Sequence, residues 1–216
     1  NYTMVRTVPA RQKFITRRLH EASASVDGVA VVASIASGPA VEVSDFVRTM
    51  EPRPIRFVLV DQDQSALAYA NDRIAAAVLE NPHLGDEVQV ECLHLSVRQL
   101  MKPDTDELRN SIKRLQNANL IYSAGLFDYF TDGVAQKVLM RLYDLLAARG
   151  RLLVGNLRET PDTTWLLDYV LGWPLVYRTR ESMEKLASVL KPAPRTLRIS
   201  FDGTERCLFR DIERPG

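Results

Sequence analysis

Five short apolar runs, separated by longer segments of helical period, constrain this chain more than any other feature. Residues 29–33 (VAVVA) are small and β-branched, long enough for a strand and too short for a helix. Residues 57–60 (FVLV) form a second run, followed at once by Asp61; residues 88–95 form a third, more alternating one. Residues 120–122 and 152–154 supply the fourth and fifth. Between them, Leu67, Ala70, Ile74 and Val78 fall at i, i+3, i+7 and i+11, one face of a helix that Asp63 or Ser65 would cap. Val134, Val138, Leu142 and Leu145 repeat the pattern, with Gly150 after Arg149 as the helix-ending residue. Thr160 and Pro161 open a predicted helix over 161–171, and another covers 182–190. Continuous apolar strands alternating with amphipathic helices imply a parallel sheet covered on both faces.

The tail differs. Residues 196–200, a turn at Asp202-Gly203-Thr204, and residues 207–209 read as a hairpin closing one edge of the sheet. The predicted fold is therefore α/β, a doubly wound, seven-stranded, mostly parallel Rossmann-like sheet with an antiparallel terminal hairpin.

Composition narrows the function classes. With 216 residues and 46% hydrophobic content the chain can bury a core without disulfides or metal, and disorder is excluded. Its 28 basic residues against 27 acidic ones leave a net charge of +1, so no nucleic-acid partner is expected. No apolar run approaches the ~20 residues of a membrane span, and no signal peptide is visible, so a cytoplasmic domain is expected. The chain opens on Asn1 rather than Met, which leaves room for a segment upstream. Cys92 and Cys207 lie in strand-like runs and read as buried free thiols. His94 reads as a core histidine, and His20 and His83 as surface ones. No histidines have ligand spacing and no acids cluster, so no metal is expected.

In such sheets ligands sit outside the carboxyl ends of the strands, where the strand order reverses. The first apolar run leads into Ser34-Ile35-Ala36-Ser37-Gly38-Pro39-Ala40, small residues that let the backbone approach a ligand, and then into a helix. Asp61, with Gln62 after it, can accept two hydrogen bonds from a ribose diol; the alternative is a plain helix cap. Ser96 and Val97 end the third strand, a polar and an apolar residue able to flank a purine. Ser123-Ala124-Gly125 ends the fourth.

Across roughly residues 25–212 these loops resemble the class I S-adenosylmethionine-dependent methyltransferases. The family's first motif is an acid, an apolar residue and alternating glycines; here Ser34 stands at the acid, Ala36, Gly38 and Ala40 at the glycines. Asp61 falls on the ribose-binding acid and Ser96-Val97 on the adenine-flanking pair. The resemblance implies S-adenosyl-L-methionine as cofactor, bound by Ser34, Ala36, Ser37, Gly38, Pro39, Asp61, Gln62, Ser96, Val97, Ser123, Ala124 and Gly125. Ser37-Gly38-Pro39-Ala40 with Glu42, the block from Tyr122 to Tyr129, Leu153-Val154-Gly155-Asn156 and Leu175-Val176-Tyr177-Arg178-Thr179 are similar to one bacterial subgroup, the extracellular-factor 3-hydroxypalmitic acid methyl ester biosynthesis proteins. That likeness implies methylation of a small-molecule acceptor, the carboxylate of a 3-hydroxy fatty acid.

A carboxylate acceptor is ionised near neutral pH and needs no base, only a cation or hydrogen-bond donors to hold it. Tyr129, Asn156, Tyr177 and Arg178 are the candidate catalytic residues, with Tyr169 beside them; each also suits a turn or surface role. Asp128 reads as a base for a hydroxyl acceptor or as a helix cap. Trp165, Leu166, Tyr169, Val170 and Trp173 read as an acyl pocket or as the core face of a helix. Arg6, Arg11, Lys13, Arg17 and Arg18 occur in the first twenty residues without one acid, alongside an apolar stripe of Phe14, Ile15, Leu19 and Ala22. Residues 1–24 are thus expected to form a helical lid or extension over a methyltransferase domain at 25–216. The competing function is a non-catalytic or weakly catalytic cofactor- or partner-binding module with a degenerate first loop. Base N-methylation is disfavoured, because no Asn-Pro-Pro-Tyr type motif follows the fourth strand.

Overall fold

The computed structural model describes the backbone of residues 3–216 and the side chains of residues 6–161 and 163–216. Strand β1 (Ala30–Ile35) pairs in parallel with β2 (Ile55–Asp61) on one side and with β4 (Ala118–Ser123) on the other. Beyond them lie β3 (Val88–His94) next to β2 and β5 (Leu146–Leu157) next to β4, both parallel. Strand β7 (Cys207–Glu213) runs antiparallel against β5, and β6 (Thr196–Phe201) completes the hairpin outside it. The order β3-β2-β1-β4-β5-β7-β6 reverses between β1 and β4, and this places a crevice at their carboxyl ends. The predicted fold class is the observed one.

Side chains alternate between the two faces of the pleated strands and build two cores. Ala30 and Val32 face α1 (Thr3–Ala24), α2 (Val41–Thr49) and α3 (Gln64–Leu79). Ala33 and Ile35 face the opposite core, covered by α4 (Val97–Met101), α5 (Asp106–Lys113), α6 (Asp132–Asp144) and α8 (Arg180–Leu186). Between β5 and α8, α7 (Pro161–Thr164) continues as a π-helix over Trp165–Val170. Asp63 caps α3 by accepting from Ser65 N and Ala66 N. The stripe of Phe14, Ile15, Leu19 and Ala22 is buried, and Phe14 stacks on Phe209 with ring centroids 4.4 Å apart, so α1 is docked on the sheet side. Residues 1 and 2 of the expected N-terminal segment lie outside the described residues.

Four expectations are corrected. Helix α6 stops at Asp144, and Gly150 belongs to β5 rather than to a helix end. A Cβ at Gly150 would lie 2.6 Å from Ala118 O, so glycine is demanded by the bulged pairing of β4 with β5. The core face of α6 is Ala135, Val138, Leu139, Leu142 and Tyr143; Val134 points outward. Cys92 and His94 are exposed because β3 is an edge strand, and His94 Nε2 lies 2.9 Å from Gln62 O. Cys207, in contrast, is buried. Of residues 165–173 only Leu167 is buried; Trp165, Tyr169, Val170 and Trp173 form neither core nor closed pocket but an exposed apolar surface.

Candidate active site

The loop between β1 and α2 folds back on the end of β2. Ala36 (φ 54), Gly38 (φ 52) and Ala40 (φ 44) all take the left-handed conformation that glycine adopts without cost. The chain thus keeps the backbone of an alternating-glycine turn with alanine at two of its three positions. Ser37 N donates to Val60 O at 3.1 Å, and Gly38 N donates to Asp61 Oδ2 at 2.7 Å. Asp63 N donates to Asp61 Oδ1 at 2.9 Å. A carboxylate accepts about four hydrogen bonds, so the half-buried Asp61 keeps capacity for a diol.

Two clefts meet at Ala36, which lines both. The first, about 90 Å³, is an apolar slot between Ile35, Val60, Leu95, Val97, Leu100 and Leu126, with Asp61 and Gln62 at its rim. The second, about 230 Å³, is lined by Ser34, Ser37, Gly38, Pro39, Ala40, Glu42, Tyr122, Ala124 and Gly125, and by Arg11 and Gln12 of α1. Of the twelve expected cofactor residues, Ser96 and Ser123 line neither. Ser96 caps α4 in a reciprocal pair with Gln99, and Ser123 Oγ donates to Ile35 O at 2.8 Å.

Arg11, Glu42 and Tyr122 enter this site although they were not among the expected site residues. Tyr122 OH donates to Glu42 Oε1 at 2.7 Å, with Ser34 on the same cleft wall. Both groups are buried, and desolvation pushes the Glu42 carboxyl and the Tyr122 phenol above their ordinary ranges. Arg11 Nη1 donates to Ala124 O at 3.0 Å, so α1 lies across the end of β4. The available signals were the lone acid four residues after Gly38 and a basic residue on the apolar N-terminal helix.

The four expected catalytic residues stand beside the clefts rather than in their walls. Arg178 is buried, and its guanidinium donates to Phe127 O (2.7 Å), Asn156 Oδ1 (2.5 Å), Phe130 O (2.6 Å) and Asp132 Oδ1 (3.0 Å). Asn156 Nδ2 donates to Leu157 O and Val176 O. Together they clamp the turn at Phe127–Tyr129 to β5 and to the segment before α8. Asp128 Oδ1 accepts from Leu157 N at 2.6 Å, and burial pushes its carboxyl up to about 6. Tyr177 OH donates to Asp168 Oδ1 at 2.7 Å, and its phenol is raised by burial and then by that carboxylate. Tyr129 is half exposed, its ring 6.2 Å from that of Trp173. Among the described residues no group of three or more metal-ligating side chains occurs, and no helix is long and apolar enough to cross a membrane.

No protein-family model and no curated protein matches the chain. Solved structures do. A possible exported protein from Bordetella parapertussis superposes with a TM-score of 0.74 at 19% identity, over 99% of this chain and 70% of that one. The S-adenosylmethionine-dependent methyltransferase SibL in its apo form gives 0.58 at 18% identity, over 87% of this chain and only 51% of its own length. Magnesium protoporphyrin IX methyltransferase (ChlM) from Synechocystis PCC 6803 with bound SAH gives 0.64 at 10% identity, over 99% and 88%. These likenesses establish the class of fold: the seven-stranded Rossmann-like fold found in S-adenosylmethionine-dependent methyltransferases.

Proposed function

We propose that this protein binds S-adenosylmethionine and transfers its methyl group to a small molecule. One observation carries the proposal: an apolar slot and a polar cleft meet at Ala36, with Asp61 held at their junction by Gly38 N and Asp63 N. A purine suits the slot between Val60, Leu95 and Val97, a ribose diol suits Asp61, and the amino-acid end suits the polar cleft. S-adenosylmethionine, when bound, supplies a methyl group already activated on a sulfonium. The work left to the protein is orientation and exclusion of water. The Ala36–Ala40 loop fixes the ligand's backbone-facing side, and Arg11 lies across the end of β4 from above. Arg178 and Asn156 then serve as positioning residues that hold the Asp128–Tyr129 turn, leaving the half-exposed Tyr129 as the group able to meet an acceptor.

The acceptor is proposed to be the carboxylate of a 3-hydroxy fatty acid, converted to its methyl ester. The resemblance of the Tyr122–Tyr129 and Tyr177–Thr179 blocks supports this, as does the exposed apolar surface at Trp165, Tyr169, Val170 and Trp173 near Tyr129. Residues 25–216 form the transferase unit in this reading and α1 its lid. Titration calorimetry with S-adenosylhomocysteine tests the cofactor. Labelled S-adenosylmethionine with a panel of hydroxy acids, amines and phenols tests the acceptor, and label confined to phenols or amines would reject the fatty acid. Alanine at two left-handed positions of the loop favours the second reading, a binding module, which predicts cofactor binding with no label transferred to any acceptor.

A further inference from the structure

The polar cleft holds two opposite charges that do not touch. Glu42 is 8% exposed and lines the cleft from the first turn of α2; Tyr122 OH occupies its Oε1 and leaves acceptor capacity on the carboxylate. Arg11 lines the same cleft from α1, and its positive charge reaches the Glu42 carboxyl, yet the two make no ion pair within 4.0 Å. Arg11 Nη1 is held by Ala124 O at 3.0 Å, and its Nε–Nη2 edge has no partner among the described residues. Ser34, on the same wall, is neutral.

We propose that Glu42 and Arg11 form a clamp for an α-amino-acid zwitterion, Glu42 receiving the ammonium and Arg11 the carboxylate. The inference rests on the cofactor reading above and specifies how this chain recognises the ligand's amino-acid end. A buried carboxylate is costly until a cation is brought beside it, so an arriving ammonium relieves the desolvation that Glu42 carries in the free protein. The free edge of a guanidinium presents two parallel donors, the geometry a carboxylate takes up in bidentate fashion. The gap between the two groups gives each end of a zwitterion its own partner. The contact is thereby carried by the first turn of α2, where the loop itself offers only Ser34.

The test compares S-adenosylhomocysteine with 5′-methylthioadenosine, which keeps the nucleoside and thioether and lacks the amino-acid end. Glu42→Gln, which still accepts from Tyr122, and Arg11→Gln should each weaken S-adenosylhomocysteine at least tenfold and methylthioadenosine less than twofold. Binding of methylthioadenosine reports an intact slot in each variant. Arg11 stands on a helix outside the sheet, so its variant provides the ratio should Glu42→Gln not fold. Equal losses for both ligands, or unchanged S-adenosylhomocysteine affinity, would overturn the clamp while leaving the cofactor reading standing. A parent protein that binds neither ligand would overturn both.

Discussion

The backbone N–H of Gly38 donates to Asp61 Oδ2 at 2.7 Å, joining the loop after β1 to the end of β2 across 23 residues of chain. The bond fixes the loop after β1 against the end of β2 before any ligand arrives. Asp61 thus orders the loop and keeps acceptor capacity beside the apolar slot.

Replacing Asp61 with alanine should therefore weaken S-adenosylhomocysteine by about 1.5–3 kcal/mol, the cost of losing hydrogen bonds to a charged group. Asp61→Asn keeps one acceptor and should fall between alanine and the parent. Titration calorimetry reads both, and unchanged affinity in the alanine variant would remove Asp61 from the site.

Ala36 sits exposed at φ 54, a conformation that costs an L-residue about 1–2 kcal/mol relative to the right-handed region. Glycine relieves that strain and loses about 0.5–1 kcal/mol of it to the greater freedom of the unfolded chain. Ala36→Gly should then raise unfolding stability by up to about 1 kcal/mol and change cofactor affinity less than tenfold, about 1.4 kcal/mol. Ala40 is buried, so Ala40→Gly also discards a packed methyl worth about 0.8 kcal/mol and should give no net gain. Urea denaturation of the two variants separates these effects; an Ala36→Gly protein less stable than its parent would contradict the strain.

Arg178 satisfies Phe127 O, Phe130 O and Asn156 Oδ1 from a buried position. Removing it orphans three acceptors at once, so Arg178→Ala should cost about 3–5 kcal/mol of stability. Lysine has three donors on one atom and cannot reproduce the planar fork, so Arg178→Lys should recover only part of the loss. The variant that remains folded should bind S-adenosylhomocysteine as the parent does. A stable Arg178→Ala protein with selective loss of acceptor turnover would instead make Arg178 a substrate contact.

The sequence made the sheet legible because its central strands are continuous apolar runs, and the terminal hairpin because its turn carries Asp202-Gly203-Thr204. The first half of β5 escaped because Ala147, Ala148, Arg149 and Gly150 carry no strand pattern; its pairing with Ala118 is a tertiary fact. The misplacing of Cys92 and His94 has the same origin, since burial depends on β3 being an edge strand and the sheet order is not written locally. Ala36, Gly38 and Asp61 could be placed at the carboxyl ends of β1 and β2 because the apolar runs before them announce the strands. Glu42 and Arg11 carried only weak local signals, since what joins them is a shared cleft between residues 31 positions apart. Arg178 shows the reverse case: a charged residue in a loop looks available until the four acceptors around its guanidinium are seen.

Asp128 gives a pH signature for the same buttress. Its carboxyl is pushed up to about 6 by burial, against which the Leu157 N–H and the charges of Arg11 and Arg178 act only in part. In the unfolded chain the group titrates near its ordinary value of 3.8. Between those pH values the folded protein keeps a proton that the unfolded chain has released. Stability from this group is thus fully present below the unfolded value and is lost as pH rises to about 6, a decline of about 3 kcal/mol. Carboxylates with lowered values, such as Glu21, Glu91 and Glu213, slope the other way, so the informative quantity is the difference between parent and variant. Asp128→Asn keeps the acceptor for Leu157 N and removes the titration. Its stability relative to the parent should be near equal at pH 4 and greater by about 2–3 kcal/mol at pH 7.5, as read by urea unfolding at both values. A difference that does not change between the two pH values would show that Asp128 is ionised in the folded protein throughout.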